Sequence, residues 1–393
     1  MSDIQRPSHI LPLIILAQFL GTISWLAGNA ILPALQQQWS LSDSAITSIT
    51  NSVQLGFIAG ALAFSLLALA DRFSPRLIFF CCTSLSAISS LAIALWANSF
   101  EQLLVLRFCS GLMLAGIYPT GMKIATGWYP QGLGRALGYL VGALVLGTAF
   151  PHLLSSWIGD HWQTVMLMVA AAALLSGLLI LAGVPDGPAL YKGAPLQWQQ
   201  LTTALRHPPL RASAMGYFGH MWELYAVWAL APFWLRAWSQ QHQQPLDTAF
   251  WSFLIIAAGA VGCVVGGKLS RRWGSRTVAQ QMLIISGLCC LLSPLLMQQS
   301  LLPVLLFWLI WGFTVVGDSP QFSALSAQTA PPAVVGSALT LINCLGYSLT
   351  VVAVQLTGSL LGSVSIEWLF WLLLPGPVLG VMSLRWLARL SKQ

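Results

Sequence analysis

The chain is predicted to be an all-α integral membrane protein with twelve transmembrane helices in two pseudo-symmetric six-helix bundles. Three observations predict this. Of its 393 residues 57% are hydrophobic and only 7% are charged, far below the roughly 25% charged residues of soluble domains. Apolar stretches of about 20 residues, the length that crosses a hydrocarbon core, follow one another along the whole chain. The pattern also repeats with an offset of half the chain. Gly111, Gly116 and Pro119 are spaced G-x4-G-x2-P, and Gly312, Gly317 and Pro320 repeat that spacing. The segment Ala70 to Arg76 is answered by Ser270 to Arg276. Internal duplication of this kind points to a solute site near the bilayer midplane, at the interface of the repeats.

Helix 1 is expected over 10–35, starting where the apolar run begins at Ile10, behind Arg6; it is read as a membrane helix and not a signal peptide. On it Gln18, Thr22, Trp25 and Asn29 are spaced 4, 3, 4 and so share a face. Helix 2 (44–69) carries Asn51 and Gln54, and helix 3 (76–97) only small hydroxyls and cysteines. Helix 4 (101–125) aligns Arg107, Gly111, Leu114 and Tyr118. Helix 5 (135–157) holds Gly138, Gly142, Gly147, Pro151 and His152, while helix 6 (162–184) is almost free of polar side chains.

The longest loop, 185–210, opens on Pro185-Asp186-Gly187-Pro188 and closes on Arg206-His207-Pro208-Pro209. These turn signals make it the linker between an N-terminal bundle (1–184) and a C-terminal bundle (211–393). Within it Leu196 to Leu205 is expected to form a surface helix.

Helix 7 (211–236) sets His220 and Glu223 three apart, with Tyr217 a turn before. Helices 8 (248–270) and 9 (277–298) follow. Helix 10 (302–325) aligns Trp311, Thr314, Asp318 and Gln321, helix 11 (336–361) carries Asn343 and Tyr347, and helix 12 (367–388) is again apolar.

Charge settles topology. The net charge of +7 comes from basic residues in alternate loops: Arg72, Arg76, Arg135, Arg206, Arg271, Arg272, Arg276 and Arg389 lie on one side, whereas Asp43, Glu101, Asp160, Asp247 and Glu367 lie on the other. By the positive-inside rule both termini are expected in the cytoplasm, with the protein in the cell membrane, or the inner membrane where a cell has two. The same distribution argues against nucleic acid as a partner. All seven cysteines fall inside apolar stretches with no CxxC spacing and read as packing residues. No nucleotide-binding motif occurs, and neither a nucleophile–base pair nor a metal-ligand cluster is visible, so no enzyme, cofactor or metal is expected.

Polar side chains within lipid are expensive, and here they concentrate on helices 1, 4, 7 and 10. Glu223 lies 12 residues beyond Arg211, roughly 18 Å into a core about 30 Å thick. An uncompensated carboxylate there must be protonated, paired or wetted by a cavity. Proton coupling is therefore assigned to Glu223, Asp318 and Arg107. Solute binding is assigned to Gln18, Trp25, Asn29, Arg107, Tyr118, Tyr217, His220, Trp311 and Gln321. Structural readings stand beside these: Arg107 as an ion-pair partner, His220 as the cap of a polar network, and Lys123 as a snorkelling side chain.

These residues resemble the major facilitator superfamily, and the resemblance covers essentially the whole chain. It implies two bundles rocking about a central cavity lined by helices 1, 4, 7 and 10. The loop after helix 2 is similar to the family's gate motif G-x3-D-R-x-G-R: Asp71, Arg72 and Arg76 match its charges, while Leu67 and Ser74 replace its glycines. In the second half Gly267 and Gly274 fit, Arg271 stands in place of the acid, and Arg272 and Arg276 complete the basic set. Arg107 with Gly111 is similar to the family's R-x3-G motif, which implies proton coupling. The glycine–proline motif of exporters is degraded on helix 5, where Phe150 replaces a glycine. The expectation is a monomeric secondary transporter binding a small polar solute, anions included, with protons. The alternatives are proton-driven efflux of lipophilic drugs or metabolites, and a non-transporting membrane sensor on the same fold.

Overall fold

The computed structural model describes residues 7–129, 133–190, 206–331 and 335–390. Span α1 comes in two segments, Ile10–Thr22 and Ala27–Trp39, separated by turns at 23–26. It is followed by α2 (Ala45–Leu66), α3 (Pro75–Trp96), α4 (Phe100–Trp128), α5 (Leu133–Ile158) and α6 (Trp162–Gly183). The second half holds α7 (Pro208–Gln241), α8 (Thr248–Trp273) and α9 (Ser275–Leu296). Span α10 is again in two segments, Leu301–Gly317 and Ser319–Thr329, and α11 is Val335–Ser359. Span α12 starts with single turns at Ile366–Leu369 and Phe370–Leu372 and runs on as Pro375–Leu390. The expected surface helix at 196–205 lies outside the described residues.

Eleven of these spans are long and apolar enough to cross a membrane; α7 is not among them. Length is not what it lacks, since α7 has 34 residues. Arg211, His220, Glu223 and Arg236 depress its hydropathy. It is also longer at both ends than the expected 211–236. Pro208 and Pro209 occupy the first turn, where a missing N–H costs nothing, so they begin the helix and do not close the loop. At the other end Trp238 is buried and donates to Gln299 O at 3.0 Å.

The two halves repeat each other in contacts as well as in sequence. In the first, α2 packs on α4, α3 on α6, and α1 on α5 and α6. In the second, α8 packs on α10, α9 on α12, and α7 on α11 and α12. The repeated glycines set these approaches. A Cβ on Gly111 would stand 2.0 Å from Val53 O, and one on Gly312 would stand 2.0 Å from Ile255 O. The halves meet along two seams, α2 on α11 and α5 on α8. Leu85, Ile88 and Leu95 of α3 remain exposed, as the lipid-facing side of an outer helix should be.

The two prolines of the repeat act differently. Pro320 cannot donate a backbone hydrogen bond, and α10 breaks beside it, at Asp318. Pro119 sits inside α4 without interrupting it.

Candidate functional site

Mid-depth in the second half, α7 presents its buried polar groups to α9 and α10. His220 Nδ1 lies 2.8 Å from Asp318 Oδ1, and both side chains are sealed from solvent. The imidazole also packs on Phe322 at 5.7 Å and on Tyr217 at 5.9 Å. One turn on, Glu223 sits 15 residues after Pro208 and 18 before Gln241, at the centre of the helix. Its Oε2 accepts from Cys290 Sγ at 3.5 Å, and Oε1 has no partner among the described residues. Two buried carboxylates and an imidazole thus lie where α7 meets α9 and α10.

In the first half, fully buried Arg107 of α4 faces the break in α1. It donates to Ser24 O at 2.7 Å and to Trp25 O, two carbonyls released where the helix is interrupted. A guanidinium suits this task because its donors fan out in one plane. Its Nε remains without a partner among the described residues. Arg107 is therefore the brace of α1.

The remaining expected ligands fall into three places. Gln18, Trp25 and Asn29 are buried on α1. Both amide atoms of Gln18 lack partners among the described residues, and Asn29 Nδ2 donates to Thr50 Oγ1 of α2 at 2.8 Å. Tyr118 is half-buried on α4. Tyr217 is buried against Gly346 of α11. Gln321 is buried on the second segment of α10. Trp311 lies apart, inside the second bundle, donating to Ser286 Oγ at 3.1 Å and stacking on Trp308 at 5.0 Å.

The gate residues lie on the face that carries the termini. Arg76 Nε is 4.0 Å from Asp186 Oδ2 and Ser74 donates to the same carboxylate at 2.8 Å, so both contacts join the N-terminal bundle to the linker. Arg72, Arg271 and Arg272 are exposed and Arg276 is half-buried, while the side chain of Asp71 lies outside the described residues. Lys123, read as a snorkelling side chain, instead donates to Ala70 O at 2.6 Å and ties α4 to the end of α2.

Across the seam, the polar bridges among the described residues lie on the opposite face. Asn51 Nδ2 donates to Gln355 Oε1 at 3.2 Å, Ser156 Oγ donates to Asp247 Oδ2 at 2.5 Å, and Arg236 Nη1 approaches Asp43 Oδ1 at 4.0 Å. Sequence reasoning left these out, because each joins residues 91 or more apart.

Residues 14–354 match the family described as Major Facilitator Superfamily. Among similar proteins is the 4-hydroxybenzoate transporter PcaK of Pseudomonas aeruginosa, 27% identical over 188 residues, which are 45% of this chain and 40% of that protein. The putative niacin/nicotinamide transporter NiaP of Bacillus subtilis is 29% identical over 161 residues, 40% of this chain and 39% of its own length. The probable sulfoacetate transporter SauU of Cupriavidus necator aligns over 68% of this chain and 66% of its own length at 25% identity. The matches to PcaK and NiaP thus span only about two fifths of those relatives. Among solved structures, a bacterial homolog of the human lysosomal transporter Spinster, inward-facing and occupied, superposes with a TM-score of 0.71 at 16% identity, covering 98% of this chain and 97% of that one. A point mutant of the nucleoside transporter NupG gives 0.72 at 13% identity, covering 96% and 99%. At these identities the likeness is one of fold.

Proposed function

Since this chain belongs to the Major Facilitator Superfamily, we propose that it is a secondary transporter that moves a small organic anion across a cell membrane by alternating access, with protons as the coupled ion. The observation that carries the reading is the burial of Glu223 and of the contacting His220 and Asp318 inside the second bundle. Two carboxylates and an imidazole at mid-depth have no structural need that apolar side chains would not meet as well. They do supply sites whose charge changes with each proton bound or released.

The cycle follows from that chemistry. Bundles 1–184 and 211–393 rock about the solute, opening first to one side and then to the other. Protonation of the Glu223 or Asp318 carboxylate removes a buried negative charge and changes which packing of α7 against α10 is favoured, since a state is selected only by differential affinity for the proton. The positive charge of Arg107, which is spent on backbone carbonyls and not on a carboxylate, biases the first bundle toward anions. Relatives named for 4-hydroxybenzoate, niacin and sulfoacetate transport support an organic acid as cargo. In this reading the basic loops, and with them both termini, face the cytoplasm, and the transporter works as a monomer.

The test is uptake of labelled 4-hydroxybenzoate into proteoliposomes under an inward proton gradient. Accumulation should collapse with a protonophore. It should also be lost in Glu223→Gln and in Asp318→Asn proteins that remain monodisperse. Full gradient-driven uptake by both variants would remove the coupling assignment.

A further inference from the structure

At mid-depth, where the two halves meet, four rings close the seam. Trp25 lies in the break of α1 and Phe57 near the middle of α2; Tyr225 and Tyr347 come from the centres of α7 and α11. Trp25 stacks on Tyr225 with centroids 6.0 Å apart and planes 23° from parallel, and it tilts against Tyr347 at 5.9 Å. Phe57 meets Trp25 at 5.0 Å and Tyr347 at 4.5 Å. The hydroxyls of Tyr225 and Tyr347 are 3.2 Å apart. Each bundle thus contributes two rings to one cluster.

Three features of this cluster bear on a guest, the third being its own, since indole N–H groups without a partner among the described residues also occur at Trp234 and Trp308 in the core of the second bundle. A buried indole normally finds an acceptor for its N–H, yet Nε1 of Trp25 is buried without one among the described residues. The same holds for Trp228, which packs edge-on to Tyr225 at 5.3 Å. In addition, the cluster straddles the surface that two rocking bundles must part, so its contacts between halves cannot persist through a cycle. Rings that separate and rejoin, carrying orphan donors, are suited to take a flat guest between them, at the depth where solute sites of duplicated transporters lie.

We propose that Trp25, Phe57, Tyr225 and Tyr347 form the seat for a planar aromatic ring of the transported acid, with the Trp25 indole N–H donating to an oxygen on that ring. The inference rests on the organic-acid reading above and narrows it: the solute is aromatic, and the ring stacks between the halves. With the seam closed, the four side chains pack on one another in its place. Arg107 acts as a positioning residue, since it holds the carbonyl of Trp25 itself.

The experiment compares 4-hydroxybenzoate with cyclohexanecarboxylate, an acid of the same charge and similar size without a π-face, by calorimetric binding to the purified full-length protein. The wild type should prefer the aromatic acid by about tenfold, the scale of a well-formed ring contact. Trp25→Leu and Tyr347→Leu should bring the ratio close to one, by weakening 4-hydroxybenzoate more than cyclohexanecarboxylate. Trp25→Phe should keep most of the preference. Equal binding of both acids by the wild type, or an undiminished ratio in the monodisperse leucine variants, overturns the seat and leaves the organic-acid reading intact. Binding of neither acid by the wild type overturns the organic-acid reading together with the seat. Should Trp25→Leu fail to fold, Tyr347→Leu and Trp25→Phe decide the matter on the same ratio.

Discussion

His220 Nδ1 of α7 stands 2.8 Å from Asp318 Oδ1 at the break of α10, a buried polar contact between two helices that also pack on each other. A buried pair is strongly destabilising when only one member is removed, because the other charge is stranded. Asp318→Asn and His220→Ala should each cost about 3 kcal/mol of stability, and the double variant should cost much less than their sum. A double-mutant cycle by denaturation in detergent measures this; additive losses would mean that the two groups do not interact.

Arg107 satisfies two carbonyls in α1, at Ser24 and Trp25. Lysine has a point charge and cannot serve both with the geometry of a planar fork. Stability should therefore fall in the order Arg, Lys, Gln, with the Lys variant about 2 kcal/mol below wild type. Thermal unfolding checks the order. A lysine variant as stable as wild type would show that charge alone suffices.

The glycines of the spans divide into those that touch backbone and those that do not. Gly111→Ala and Gly312→Ala would each place a Cβ 2.0 Å from a carbonyl oxygen, so helices must move apart; each should cost about 3 kcal/mol and lower folded yield. At Gly138 and Gly267 none of the described residues lies within 4 Å of the added carbon. Alanine there should be neutral or stabilising by up to about 1 kcal/mol, through helix propensity. Yield and melting temperature of the four single variants distinguish the two classes.

Ser40 ends α1 in the left-handed region, with φ 52° and ψ 41°. Glycine adopts this conformation without the clash of a Cβ, and it is the preferred residue just past a helix. Ser40→Gly should raise stability by about 1 kcal/mol, read as a higher melting temperature with transport unchanged. A lower melting temperature would count against the turn as described.

How much of this was legible beforehand differs from residue to residue. Gly111 and Gly312 were marked by their recurrence, and the reason is local: a helix approached closely by another must drop its side chain wherever the contact falls. Glu223 and Asp318 were marked because carboxylates in an apolar stretch are costly, whatever surrounds them. Arg107 was marked for the same reason, but its target was not, since backbone carbonyls have no signature in sequence and the break of α1 contains no proline. Trp311 was expected at the solute site by its face on helix 10, yet it turns into the second bundle, where Ser286 takes its N–H.

The sequence by itself determined the number and order of the spans, their pairing into two halves, and which helices carry charge, because hydropathy, helix length and the expense of buried polarity act within a single segment. Only the tertiary structure decided that His220 faces Asp318, that Arg107 braces α1, and that Trp25 meets Tyr225 and Tyr347 across the seam. Those relationships join residues 82 to 322 positions apart. Their geometry is fixed by how the helices pack against one another, which no local pattern encodes.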